Sequence, residues 1–187
     1  MILDHSREKL FNAIIYFATN THKCGKVKLF KLLYFFDFMH FSETGRSVTG
    51  LTYYAWKMGP VPADLSPELI PQGSTELSKH LSIEKIPTGY DKEMVKFVPK
   101  HEFNEGVFSK RELCILKSLA EEYQNSAAQE MIEATHLENQ PWHRIWEVEG
   151  RKQQEIPYLL ALKSQEAEEM EKTINENKNA WAEFFDQ

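Results

Sequence analysis

Apolar stretches of helical period alternate along this chain with short polar or β-branched ones, and that alternation predicts its elements. From residue 4 to 19, Leu10, Ile14 and Phe17 recur at intervals of three and four, with Phe11, Ile15 and Ala18 beside them. That is the stripe of an amphipathic helix. After Gly25, residues 27–41 are apolar nearly all round, the pattern of a helix buried at the centre of a domain. Its polar members are unevenly placed. At about 100° per residue, Lys28 and Lys31 fall on one side and Asp37 and His40 on the other. This predicts a first turn that is wet on one face and a last turn that is wet on the opposite face.

Residues 47–58 are rich in Thr, Val, Tyr and Trp, which suits a strand. Gly59-Pro60 breaks it. Pro62 stands where a helix can begin, because a first-turn residue needs no intrahelical N–H bond. The short helix this predicts covers 64–70 and stops at Pro71, and 72–81 reads as loop. Residues 82–87 and 93–98 are expected to pair antiparallel around Thr88-Gly89-Tyr90-Asp91 and to join 47–58 in one small three-stranded sheet.

The remainder is helical. Ser109-Lys-Arg-Glu112 has capping-box spacing ahead of Leu113, Leu116 and Leu119. Ser126-Ala-Ala-Gln129 repeats it ahead of Met131 and Ile132. Pro141-Trp142 opens a short helix through Val148, and 156–162 is an apolar connector, with 151–157 able to hinge the last segment. The last helix, 164–185, carries Ala167, Met170, Ile174, Asn177, Trp181 and Phe184 at alternating spacings of three and four. That is a heptad stripe with one polar member, and Phe185 widens its end. The expected architecture is therefore α+β. It is a mostly helical single domain over 1–150 with one small antiparallel sheet, extended by a long C-terminal helix within 151–187.

Composition adjusts this picture in one place. The 187 residues carry 22 Lys+Arg against 28 Asp+Glu, a net charge of −6 that disfavours nucleic-acid binding over the whole surface. The average conceals a gradient. The first forty residues hold six cations and three anions, and residues 164–187 hold two cations and seven anions. The acidic end with its Trp181, Phe184 and Phe185 is thus a docking helix, for its own basic N-terminal face, a partner's groove or a second copy. No leader-like segment and no apolar run of about 20 residues appears, so a cytoplasmic protein without a membrane partner is expected.

Candidate chemistry is sparse. The spacings Asp37-x-x-His40 and Glu133-x-x-His136 resemble half of a four-helix carboxylate site, but the additional inward Glu residues are missing. No metal site and no cofactor are expected. There is no phosphate loop and no nucleophile elbow. Cys114 lies in an apolar helical pattern and reads as core filler. Cys24 stands between Lys23 and Lys26, which would lower its pKa. A metal- or Cys-dependent enzyme would have to use these groups, and the expectation is a protein that is not an enzyme.

One stretch reads as a motif. Lys28-Leu-Phe-Lys-Leu-Leu-Tyr-Phe35 leads to Asp37-x-x-His40, then to Thr44-Gly-Arg-Ser-Val-Thr-Gly50 and Ala55-Trp-Lys-Met-Gly-Pro-Val-Pro62. Further on come Thr135-His136 and Pro141-Trp142. This combination resembles the SocA-like antitoxin domain, also called Panacea, over about residues 5–148. The resemblance implies a bacterial or prophage protein that binds a cognate toxin, usually encoded by an adjacent gene, and suppresses it by contact. In some members the antitoxin acts as a proteolytic adaptor that delivers its client to an AAA+ protease. No catalytic residue is implied. Within the motif Leu32, with Leu29, Leu33 and Phe36, would build core. Trp56, Gly59 and Pro60 would set the course of the chain after the strand, and His136 and Trp142 read as structural. Lys28, Lys31, Tyr34, Asp37 and His40, together with Trp181, Phe184 and Phe185, are the partner-contact candidates, the first five equally candidates for buried hydrogen bonds.

Overall fold

Two helices open the chain, α1 (Ser6–Asn20) and α2 (Lys26–Thr44). The computed structural model describes residues 5–87, 93–137 and 140–162, and α2 is the axis on which they pack. Leu29, Leu32, Leu33 and Phe36 of α2 are fully buried, and so are Ile14 and Phe17 of α1. Each such side chain contributes about 2 kcal/mol by leaving water. Gly45, with φ 71°, closes α2 in the left-handed conformation, its N–H bonded to the Phe41 carbonyl. A glycine takes that conformation at no steric cost.

The expected strand over 47–58 is shorter. Residues 47–52 wrap the end of α2 instead, and only β1 (Tyr53–Trp56) is strand, paired antiparallel with β2 (Gly59–Pro62) across Lys57-Met58. The helix predicted over 64–70 is absent. Ser66 N–H does reach the Pro62 carbonyl at 3.0 Å, one helical turn, but Pro67 follows, and it has no N–H with which to continue. These turns still bury Leu65 and Leu69.

A one-turn helix α3 (Leu77–His80) then leads into β3 (Leu81–Pro87), which pairs with β4 (Glu93–Pro99). The single three-stranded sheet expected from the sequence is therefore two separate hairpins. The physical reason lies at β1, whose two edges are already occupied. One bonds β2. The other bonds residues 153–156, through Ala55 N–H to Gln154 O (2.9 Å), Gln153 N–H to Ala55 O (2.8 Å) and Ile156 N–H to Tyr53 O (2.8 Å).

The later helices follow the sequence signals more closely. α4 (Lys110–Glu122) starts with the expected capping box, Ser109 Oγ accepting from Glu112 N–H and Glu112 Oε2 accepting from Ser109 N–H. α5 (Ala128–Thr135) begins one residue later than Ser126 would set it, with Glu130 accepting from Ala127 N–H at 2.6 Å. Pro141 opens α6 (Pro141–His143), which continues as a π-turn over Arg144–Val148. A 3-10 turn, Tyr158–Ala161, lies along α2. There Tyr158 stacks on Phe38 at 4.5 Å, and its hydroxyl donates to the Leu51 carbonyl at 2.6 Å. The long helix expected over 164–185, with Trp181, Phe184 and Phe185, lies outside the described residues.

Candidate functional site

Four polar side chains of α2 define the site, Lys28, Lys31, Asp37 and His40, and all four turn inward. Lys28 is fully buried. Its Nζ donates to the carbonyls of His22 (3.0 Å), Gln124 (3.2 Å) and Ser126 (2.8 Å). One ammonium thus ties the α1–α2 turn to the α4–α5 turn. Lys31, three residues on, is also buried and donates to the Pro60 carbonyl in β2 at 2.8 Å. Burial without an acidic partner lowers its pKa to about 7. The Lys28–Lys31 face, expected to be wet, is dry. Side chains that can donate several hydrogen bonds are satisfied here by main-chain carbonyls, which leave no mark in the sequence.

At the other end of α2, Asp37 is fully buried and takes four donors. These are Val48 N–H (2.8 Å), Thr49 N–H (2.8 Å), Tyr53 Oη–H (2.8 Å) and the Thr49 hydroxyl. Burial pushes its carboxyl upward, and the four donors oppose that shift. His40 Nδ1–H donates to the Arg46 carbonyl at 2.7 Å. The Asp37–His40 face is therefore buried as well, and the exposed side chains of the last turn are Ser42 and Glu43. Asp37 and His40 bond separate parts of the 46–49 loop. Among the described residues no three His, Cys, Asp or Glu gather to hold a metal ion.

Between these ends stands a polar knot of α2, β2, α5 and α6. Gly59 runs at φ 93°, and a Cβ there would stand 2.6 Å from Thr135 Oγ1 and 2.7 Å from Lys31 Nζ. Only a glycine fits so close an approach. His136 stacks flat on Trp142, with ring centroids 3.7 Å apart. Trp142 Nε1–H donates to the Trp56 carbonyl at 2.9 Å. The indole of Trp56 itself is exposed, so it is the main chain of that residue that holds the knot. Among the described residues His136 Nε2 is buried without a hydrogen-bond partner, and the buried Tyr34 hydroxyl faces the main-chain amide of Trp142. Burial, and secondarily Lys31, lowers the pKa of His136.

Both cysteine expectations change. Cys114 is exposed, on the outer side of α4, and is not core filler. Cys24 is buried, and burial raises its thiol pKa against the opposing effects of Thr21 and Lys28. The neighbouring lysines do not activate it, since desolvation disfavours the thiolate more than they favour it.

The same residues decide the family. The sequence model described as "Antitoxin SocA-like, Panacea domain" matches residues 29–143, more than half of the chain. The chain belongs to that family. The matched region runs from the first buried leucine of α2 to the last residue of α6, and so includes the whole polar knot. No curated protein and no solved structure matches the chain. Among the described residues, no helix is long and apolar enough to cross a membrane. Thr49 and Thr135 lie within the motif stretches without standing out as site residues, and Tyr53 and Tyr158 carried no individual signal. The nearest signal was the Thr/Tyr-rich composition of 47–58, which also suited a longer strand.

Proposed function

We propose that this Panacea-domain protein is an antitoxin that neutralises a toxin by binding it directly and covering its active site or substrate groove. The match to the antitoxin family over residues 29–143 carries this reading. The inward turn of the α2 motif supports a division of labour. Lys28, Lys31, Asp37 and His40 hold loops and turns in place, so the contact itself falls to what the scaffold presents. Large apolar side chains are on offer there: Met39, Trp56, Met58, Leu137 and Val148 are all exposed. Trp181, Phe184 and Phe185 belong to the same proposal as contacts from the C-terminal segment.

Co-expression with the product of the adjacent open reading frame tests the reading. The expected result is restored growth and a stable complex in a pull-down, with the toxin still present at its normal level. Absence of both rescue and complex would overturn it. Rescue accompanied by loss of the toxin protein would replace occlusion with delivery to a protease.

A further inference from the structure

Two histidines outside the polar knot share a hydrogen bond. His80 is the last residue of α3 and His101 stands two residues past β4, and Nδ1 of the first lies 2.9 Å from Nε2 of the second. Their partners fix where the hydrogens sit. His101 Nδ1 is 3.0 Å from the Glu102 carbonyl. A carbonyl only accepts, so Nδ1 carries the hydrogen and Nε2 of the neutral ring is a bare acceptor. His80 Nδ1–H is therefore the donor of the shared bond. The bond survives one extra proton, because the other nitrogen of His80 can take it. A second must go to His101 Nε2, and the two rings then turn N–H against N–H with like charges in contact.

This bond holds a cover in place. The His80 ring stacks on Phe11 of α1 with centroids 4.5 Å apart, and Phe11 is 3% exposed. The main chain at the same corner is tied by Lys100 N–H donating to the His80 carbonyl at 2.9 Å and by Leu81 N–H donating to Leu77 O. The charged groups around the pair are Arg7 and Glu8 of α1, Glu76 and Lys79 at α3, and Lys100 and Glu102 after β4. None of them is free to neutralise a second proton. Glu76 accepts from Arg7 at 3.1 Å, and Glu8 faces His5 at 3.4 Å. Glu102 offers its main-chain carbonyl. Among the described residues neither imidazole has an ion pair with a carboxylate. Burial first, and then the charge of His101, lower the pKa of His80.

We infer that the His80–His101 pair is an acid-sensitive latch, which keeps the α3 corner closed over Phe11 while it holds at most one extra proton and releases that corner when both imidazoles are charged. The latch lies apart from the polar knot and does not depend on the antitoxin reading. Its direction follows from the protons bound. Below the ordinary histidine value of about 6.5 the unfolded or opened chain takes up protons that the closed pair resists, so closure weakens as the pH falls.

An NMR titration of the full-length protein from pH 8 to pH 4.5 follows both imidazoles. Two coupled steps are expected, separated by more than about one unit. The exchange protection of the Leu81 and Lys100 amides should fall about tenfold between pH 7 and pH 5, the equivalent of one unit of displaced titration. His101→Gln keeps an acceptor for His80 but cannot take a charge, so its protection at these two amides should be the same at both pH values. His101→Ala has no acceptor and should show the reduced protection already at pH 7. Two imidazoles that titrate independently, each in one ordinary step, would overturn the latch in the wild-type protein without any variant. An equal acid loss of protection in wild type and His101→Gln would overturn it as well.

Discussion

Replacing Lys28 by methionine separates a contact residue from a strut. The substitution keeps the length and most of the apolar stem but removes the ammonium. Three carbonyls lose their donor, those of His22, Gln124 and Ser126. A hydrogen bond to a charged group is worth about 1.5–3 kcal/mol net, but the desolvated ammonium in wild type offsets part of the sum. Gln124 O also keeps a second donor, His22 N–H at 2.8 Å. Two unshared bonds less that offset leave about 3 kcal/mol of destabilisation. For a protein of this size each kcal/mol shifts Tm by about 2–4 °C, so the loss should be about 10 °C. Thermal unfolding by circular dichroism and urea unfolding by tryptophan fluorescence measure it independently. Toxin affinity, determined below the Tm of the variant, should stay within about twofold of wild type, because the ammonium touches no surface. Stability within about 0.5 kcal/mol of wild type, the scatter of ordinary surface substitutions, would refute the strut. A large loss of affinity at unchanged Tm would make Lys28 a contact after all.

Four further substitutions, at three positions, probe the same buried frame. Asp37→Ala orphans the Val48 and Thr49 amides and the Tyr53 hydroxyl, and should cost about 3–5 kcal/mol; Asp37→Asn, which keeps one acceptor oxygen, should cost less than half as much in urea unfolding. Lys31 has a folded-state pKa of about 7 against an ordinary 10.5, so between those values the unfolded chain binds more protons and stability rises with pH. Lys31→Met should show a flatter pH dependence of unfolding from about 7 to 10, and an unchanged slope would contradict the burial of this amine. Gly59→Ala places a Cβ against Thr135 and Lys31 at positive φ and should lower stability by about 2–4 kcal/mol, which a shift in the urea midpoint would register.

Helices α1, α2, α4, α5 and α6 and the β3–β4 hairpin are legible in the sequence because their signals are local, whereas the helix expected over 64–70 is absent and α3 falls in a stretch that reads as loop. Period three-to-four, a Ser-x-x-Glu cap and a polar turn between β-branched runs each act within a few residues. The α2 lysines defy their helical-wheel placement for an instructive reason. A helix that is apolar all round has no wet face, so its few charged members go inside with the rest and must be satisfied there. A solvated side for Lys28 and Lys31 contradicts the burial that the same apolar pattern predicts. Their partners stay invisible, since carbonyls of residues 22, 60, 124 and 126 have no residue-type signature. Residues 153–156, which complete β1 from the far side, are hidden for the same reason: their pairing is main chain to main chain, between segments about a hundred residues apart.

That preference for main-chain partners bears on which positions of the domain are free to change. Lys28 and Lys31 donate to carbonyls, Asp37 accepts from two amides, His40 donates to a carbonyl and Trp142 does the same to Trp56. A carbonyl or amide is present at any residue except for the missing N–H of proline, so the partner positions can change side chain without losing the bond. Ser126 and Arg46 illustrate this, since each offers its carbonyl inward and leaves its side chain out of the bond. A small set of inward polar residues therefore fixes the course of the connecting segments and places little demand on the side chains those segments display. Such a scaffold can hold one geometry while the side chains on its outer surface change.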